Sequence, residues 1–242
     1  MKRILTLVLV FALAGFAFAG DRESDVERLQ SAATVLNEIM SAPDKGIPEE
    51  ILSSAKCVAV VPSMLKGGLV IGAAYGKGVA SCKNANGWSS PAFFLIQGGS
   101  FGFQIGGQAV DLVMIIMNDS GMQNLLASKF KLGADASVAA GPVGRHAEGM
   151  TDWKMRAQVL TYSRARGAFA GITLNGAVIK QDQDDTRAFY GRMVPFRTLL
   201  LGNLNPTPKD AEPWITALAK YADVATSAPA AVAPAAEKKD AQ

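Results

Sequence analysis

The sequence predicts an α+β fold: a strongly curved, glycine-rich, mainly antiparallel, barrel-like sheet with helices at both ends. Three observations carry this. Short apolar segments dominate the middle of the 242-residue chain, and helical periodicity is concentrated at its ends. The stretch GGSFGFQIGGQAVDLVMIIM, Gly98–Met117, sets glycines at 98, 99, 102, 106 and 107 among Phe101, Phe103 and Ile105. Glycine inside a strand marks a bend, a bulge or a close approach of another backbone. The second half, Leu112–Met117, is an unbroken apolar run, the pattern of a strand buried on both faces.

Taken in order, Met1–Ala19 reads as an export signal. Lys2 and Arg3 precede the apolar run Ile4–Phe16, and Ala17-Phe18-Ala19 supplies small residues for cleavage before Gly20. The apolar part is short for a membrane span; an uncleaved N-terminal anchor helix is the alternative. The cleavage site has no lipobox cysteine, so the expected location is the periplasm or beyond. Losing Lys2 and Arg3 lowers the formal charge from +3 to +1. That surplus is too small for a sequence-independent grip on nucleic acid.

Asp21–Ala42 is an amphipathic helix, with Val26, Leu29, Ala33, Leu36, Ile39 and Met40 at three- and four-residue spacing. The acids Asp21–Asp25 suit a helix N-terminus there. A short helix is expected from Ile47-Pro48, with Glu49 and Glu50 in its first turn. Cys57–Val61 is a short strand stopped by Pro62. Gly67–Cys82 is a long strand or a bent pair of strands, and Asn84–Gly87 is a turn. Trp88–Gln97 is a strand in which Pro91 marks an end or an edge. Asp119 or Ser120 caps a short helix through Leu126. Gln158–Ser163, Gly167–Leu174 and Gly176–Lys180 read as three strands, Asp184–Tyr190 as a helical turn, and Pro208–Tyr221 as a C-terminal helix. These elements give a domain over 20–205, a packed helix over 206–225, and an Ala/Pro-rich, disordered tail over 226–242.

The residues able to carry chemistry are few. Lys129, Lys131, Arg145, Lys154, Arg156, Arg164 and Arg166 fall in a span with few acids; they suit phosphate or lipid headgroups, or simply a solvated face. Asp111 and Asp135 sit among apolar or small residues. They fit ion pairs with Arg145, Arg164 or Arg166, or the lining of a polar pocket. Cys57 and Cys82 fit a disulfide in an oxidising compartment if their segments fold back antiparallel, or two buried thiols. One histidine and no CxxC pair exclude a zinc site, and the P-loop and dinucleotide glycine patterns are incomplete. Gly98-Gly99-Ser100-Phe101-Gly102 fits the nucleophile-elbow pattern, with His146 as base and Asp111 or Asp135 as acid. That pattern belongs between a strand and a helix, whereas strand-like sequence continues here.

The blocks IPEEILSSAKCVAVVP, KGGLVIGAAYGKGVA, GWSSPAFFLIQGGSFGFQIGGQAVDLVMIIM, GADASVAAGPVGR, YSRARGAFAGITLNGAVI and FYG occur in this order. Over about Asp25–Gly191 the chain resembles the SYLF domain, also called the Ysc84 actin-binding domain. The resemblance implies a non-enzymatic lipid-binding module. Eukaryotic members of that family bind phosphoinositides, and some bind actin; bacterial members are exported and associated with lipid. Here the export signal makes actin an unsuitable partner. The expectation is a phospholipid or membrane surface, bound by Lys129, Lys131, Arg145 and Arg156 with an apolar surface or the first helix. No cofactor or metal is expected. A protein-interaction role in the cell envelope is the alternative, and a Ser100/His146 hydrolase is third.

Overall fold

In a computed structural model of the chain, the residues described are 2–42, 46–68, 71–85, 87–101, 106–141, 157–165, 168–169, 174, 176–202, 204 and 207–222. Helix α1 (Lys2–Met40) begins far before the expected start. The acids Asp21–Asp25 therefore lie in mid-helix, where the dipole argument does not apply, and Asp25 is wholly buried. Leu29, Ala32, Leu36 and Ile39 form its buried stripe. Among the described residues no helix is long and apolar enough to cross a membrane. Helix α2 (Glu49–Ser53) follows Pro48, whose missing N–H costs nothing at a helix start.

The strands are β1 (Cys57–Gly68), β2 (Ile71–Asn84), β3 (Gly87–Trp88), β4 (Ala92–Phe101), β5 (Gly106–Ile116), β6 (Lys129–Lys131), β7 (Val138–Ala140), β8 (Val159–Ala165), β9 (Ala168–Phe169) and β10 (Val178–Gln181). They form one sheet in the order β6-β10-β4-β2-β1-β5-β8-β7, with β3 on β2 and β9 on β8. The pairs are antiparallel except β7 with β8, which is parallel. The sheet curls into a half-barrel, so the α+β class with a strongly curved sheet holds.

Both faces of the sheet are packed. Alternation along β1 sends Cys57, Ala59 and Val61 to one core and Val58 and Val60 to the other. The first core includes helix α3 (Asp119–Leu126) and helix α5 (Phe196–Leu200). The second includes α1, α2, helix α4 (Gln183–Tyr190) and helix α6 (Glu212–Ala222), which follows a 3-10 turn at Lys209–Ala211. Two-sided burial is the physical reason for the continuous apolar runs VAVV and LVMII.

Several local expectations change. Pro62 does not stop β1. Pairing with β2 runs Val60↔Val79 and resumes at Leu65↔Tyr75, and pairing with β5 runs Val61↔Leu112 and resumes at Met64↔Val110. One extra residue on β1 makes a bulge, which is where a central strand tolerates a residue with no N–H. Ser63 in this bulge has φ 50°, and its N–H donates to Asp111 Oδ1 at 2.9 Å. Pro91 separates β3 from β4, so Trp88–Gln97 is not one strand. Asn118, not Asp119 or Ser120, caps α3 by accepting from the Gly121 N–H at 2.9 Å. Helix α5 and the parallel β7 were not expected at all.

Cys57 and Cys82 are cross-strand partners, both wholly buried, and are joined by a disulfide. The glycines of β2 admit large neighbours. A Cβ at Gly78 would lie 2.5 Å from the Phe94 ring and 2.7 Å from the Val60 carbonyl oxygen. Gly78→Ala is expected to cost about 1–3 kcal/mol by overpacking, read as a shift in denaturant midpoint. An unshifted midpoint would mean that both the Phe94 ring and the Val60 backbone yield freely.

Candidate functional site

Among the described residues, no helix covers one end of the sheet. Cross-strand partners share a face, and one row can be followed across five strands beyond Lys131. It reads Lys131↔Val178, Val178↔Gln97, Gln97↔Tyr75, Tyr75↔Leu65 and Leu65↔Ala109. Two residues along, a second row reads Lys129↔Lys180, Lys180↔Leu95 and Leu95↔Lys77. Further along on the same face, Phe93↔Val79↔Val60 enters the helix-covered core. The first row is thus the open continuation of that face, and the second is its margin, where Lys77 meets the carboxylates of α4.

Chemically the rows differ from one flank to the other. Lys129 and Lys131 are exposed on edge strand β6, with buried Phe130 between them, so both ammonium groups stand on the open face. Lys180 adds a third, partly buried cation on β10. At the other flank Leu65 and Tyr75 are, among the described residues, the exposed large hydrophobics, 61% and 47% accessible. They adjoin a shallow cleft of about 510 Å³ lined by Leu65, Lys66, Gly67, Ala73, Tyr75, Gln108 and Ala109. Burial alone lowers the Lys66 pKa. At about 4.8 Å per strand, the cationic flank lies roughly 19 Å from Leu65 along the sheet. Such a surface offers ionic contacts to phosphate or carboxylate groups and apolar area to hydrocarbon beside them.

The sequence-predicted residues divide. Lys129 and Lys131 belong to this surface; Arg145, Arg156 and His146 lie outside the described residues. Among the described residues neither Asp111 nor Asp135 is paired with Arg164; the other expected partners, Arg145 and Arg166, lie outside the described residues. Asp111 holds the β1 bulge through the Ser63 N–H. Asp135 Oδ2 accepts from the Lys131 N–H at 2.7 Å, and its own N–H donates to the Lys131 carbonyl at 2.8 Å, closing the turn after β6. These are backbone-holding roles, the usual use of Asp beside a turn. Arg164 pairs instead with Glu38 of α1. Ser100 lies within β4, opposite Gly72 of β2, so it is not on a strand-to-helix elbow and the hydrolase geometry fails. Lys180, Leu65 and Tyr75 were missed. Their signal is the register, because nothing in the local sequence sets Lys180 beside Lys129 or Leu65 beside Tyr75.

The model of the Ysc84 family, described as Las17-binding protein actin regulator, matches residues 97–221. The chain is similar to the SH3 domain-containing YSC84-like protein 1 of Rattus norvegicus, at 34% identity over 190 residues, covering 76% of this chain and 55% of the relative. The Homo sapiens protein of that name is 33% identical over the same shares. LAS seventeen-binding protein 3 of Saccharomyces cerevisiae is 32% identical over 178 residues, covering 71% of this chain and 38% of the relative. The chain spans about half the length, or less, of these relatives. With a match over half of its residues to the family model, the chain belongs to the Ysc84, or SYLF, family.

Proposed function

We propose that this chain is an exported, non-enzymatic module that docks on anionic phospholipid surfaces through the bare end of its sheet. One observation carries the reading: Lys129, Lys131 and Lys180 share a sheet face with the exposed Leu65 and Tyr75. The ammonium groups meet headgroup phosphates, each contributing about 1 kcal/mol near an anionic surface. Leu65, Tyr75 and the adjoining alanines pack against the acyl boundary. With residues 1–19 removed, the module works in the periplasm or beyond.

Simultaneous Lys129→Glu, Lys131→Glu and Lys180→Glu is expected to weaken binding to anionic vesicles by at least about 100-fold, since three such contacts reverse sign. Co-sedimentation of residues 20–242 with anionic and neutral phospholipid vesicles, at low and high salt, reads this. Leu65→Ser with Tyr75→Ser should weaken the salt-resistant part. Undiminished binding by folded variants of both kinds would overturn the reading.

The family description favours a second reading, because it names a protein, Las17, as a partner of family members. On that reading the same bare face receives an envelope protein. Salt-insensitive retention on a protein partner, with no vesicle binding, would select it.

A further inference from the structure

Helix α1 is tied to the sheet by buried charges that the proposed lipid-facing surface does not need. Asp25 and Arg28 come from α1, Lys77 from β2, Asp182 from the cap of α4, and Asp185 from its first turn. Arg28 Nη1 donates to Asp25 Oδ1 at 3.0 Å and to Asp185 Oδ2 at 2.6 Å. Lys77 Nζ donates to Asp185 Oδ1 at 2.7 Å and lies 3.3 Å from Asp182 Oδ2. The neighbouring charges are occupied elsewhere: Arg22 of α1 pairs with Asp210 of the 3-10 turn, and Asp184 with Arg187.

Among the described residues the cluster therefore holds three carboxyl groups and two cations. Fully ionised, it carries one excess negative charge where Asp25 has no contact with solvent. An unbalanced buried charge costs several kcal/mol, and such a group takes up a proton instead. The atom for that proton is Asp25 Oδ2, which is buried and has no hydrogen-bond partner; Asp182 Oδ2 also has none, but the Lys77 ammonium lies 3.3 Å from it.

We propose that a proton on Asp25 latches α1 to the sheet, and that its loss loosens the helix and frees the apolar stripe of Leu29, Leu36 and Ile39. Burial first, and then the charge of Asp185, push the Asp25 carboxyl up from 3.8 to about 7. The sign follows. In opened α1 the carboxyl ionises near 3.8, while in the closed state it stays protonated to about 7. Between these values the closed state binds more protons, so opening becomes more favourable as pH rises, by up to about tenfold per unit, and levels off above the closed-state value.

Hydrogen exchange of the chain without lipid, corrected for intrinsic rates and followed from pH 5 to 8.5, tests this independently of vesicle binding. Protection of residues 21–40 is expected to fall severalfold to tenfold per unit up to about pH 7 and then flatten; β1 and β5 amides that exchange only by global unfolding, which also frees Asp25, follow the same slope from a higher protection. Asp25→Asn should abolish the slope, and Glu23→Gln, at an exposed position of the same helix, should keep it. A flat wild-type profile, or a slope that persists in Asp25→Asn, would overturn the latch. Should Asp25→Asn not fold, the carboxyl-carbon NMR titration of Asp25 in the wild-type chain decides: a midpoint near 7 supports the latch and one near 3.8 overturns it.

Discussion

Trp214→Ala is expected to lower stability by about 3–5 kcal/mol, the cost of emptying a large aromatic site in a core. Trp214 is wholly buried where α6 packs on the second core. Its Nε1–H donates to Ser81 Oγ at 2.9 Å, and Ser81 is itself wholly buried on β2. The substitution thus removes both the ring and the partner of a buried hydroxyl, which places the cost toward the upper end of that range. Thermal unfolding should show a fall of roughly 6–20 °C, at about 2–4 °C per kcal/mol for a domain of this size. Trp214→Phe keeps most of the volume and loses the donor, so it separates packing from hydrogen bonding. A thermal midpoint within 2 °C of wild type, roughly 1 kcal/mol or less, for Trp214→Ala would mean that α6 is not part of the cooperative core.

Reduction of the Cys57–Cys82 disulfide should cost about 3.5 kcal/mol. The bond closes a loop of sequence separation 25, and a cross-link over that length restricts the unfolded chain by about this much. Both cysteines are wholly buried, so reductant reaches them only when the sheet opens. Denaturant melts with and without reductant should differ in midpoint and, because the reduced unfolded chain is less compact, also in slope. Identical curves would show that the sheet already restricts the chain in the unfolded ensemble.

Much of this architecture is legible in the residues. The apolar runs VAVV and LVMII announce strands buried on both faces, and periodicity finds α6 and the second half of α1. What escapes depends on partners distant in sequence. Pro62 is a stop signal by local chemistry, but pairing on both sides carries β1 past it through a bulge, with Asp111 holding the displaced Ser63. Phe196–Leu200 is too short to show a helical period, and its helicity is supported by Phe196, Leu199 and Leu200 in the first core. Asp25 looks like one of several surface acids near a helix start, and only the folded chain sets it among Arg28, Lys77 and Asp185. At the candidate surface, composition flagged Lys129 and Lys131. Lys180, Leu65 and Tyr75 needed the register, which local sequence does not specify.

The disulfide also has a mechanical consequence. Cys57 and Cys82 sit near one end of the β1–β2 hairpin, and the bare surface with Leu65 and Tyr75 lies toward the other. Tension applied along the backbone from either side passes from one sulfur to the other and bypasses everything between them. The enclosed segment, about 85–90 Å of contour length at 3.4–3.6 Å per residue, cannot be drawn out while the bond persists. The hairpin that carries the exposed hydrophobics is thus a slack loop under load, shielded from any pull exerted on the rest of the chain.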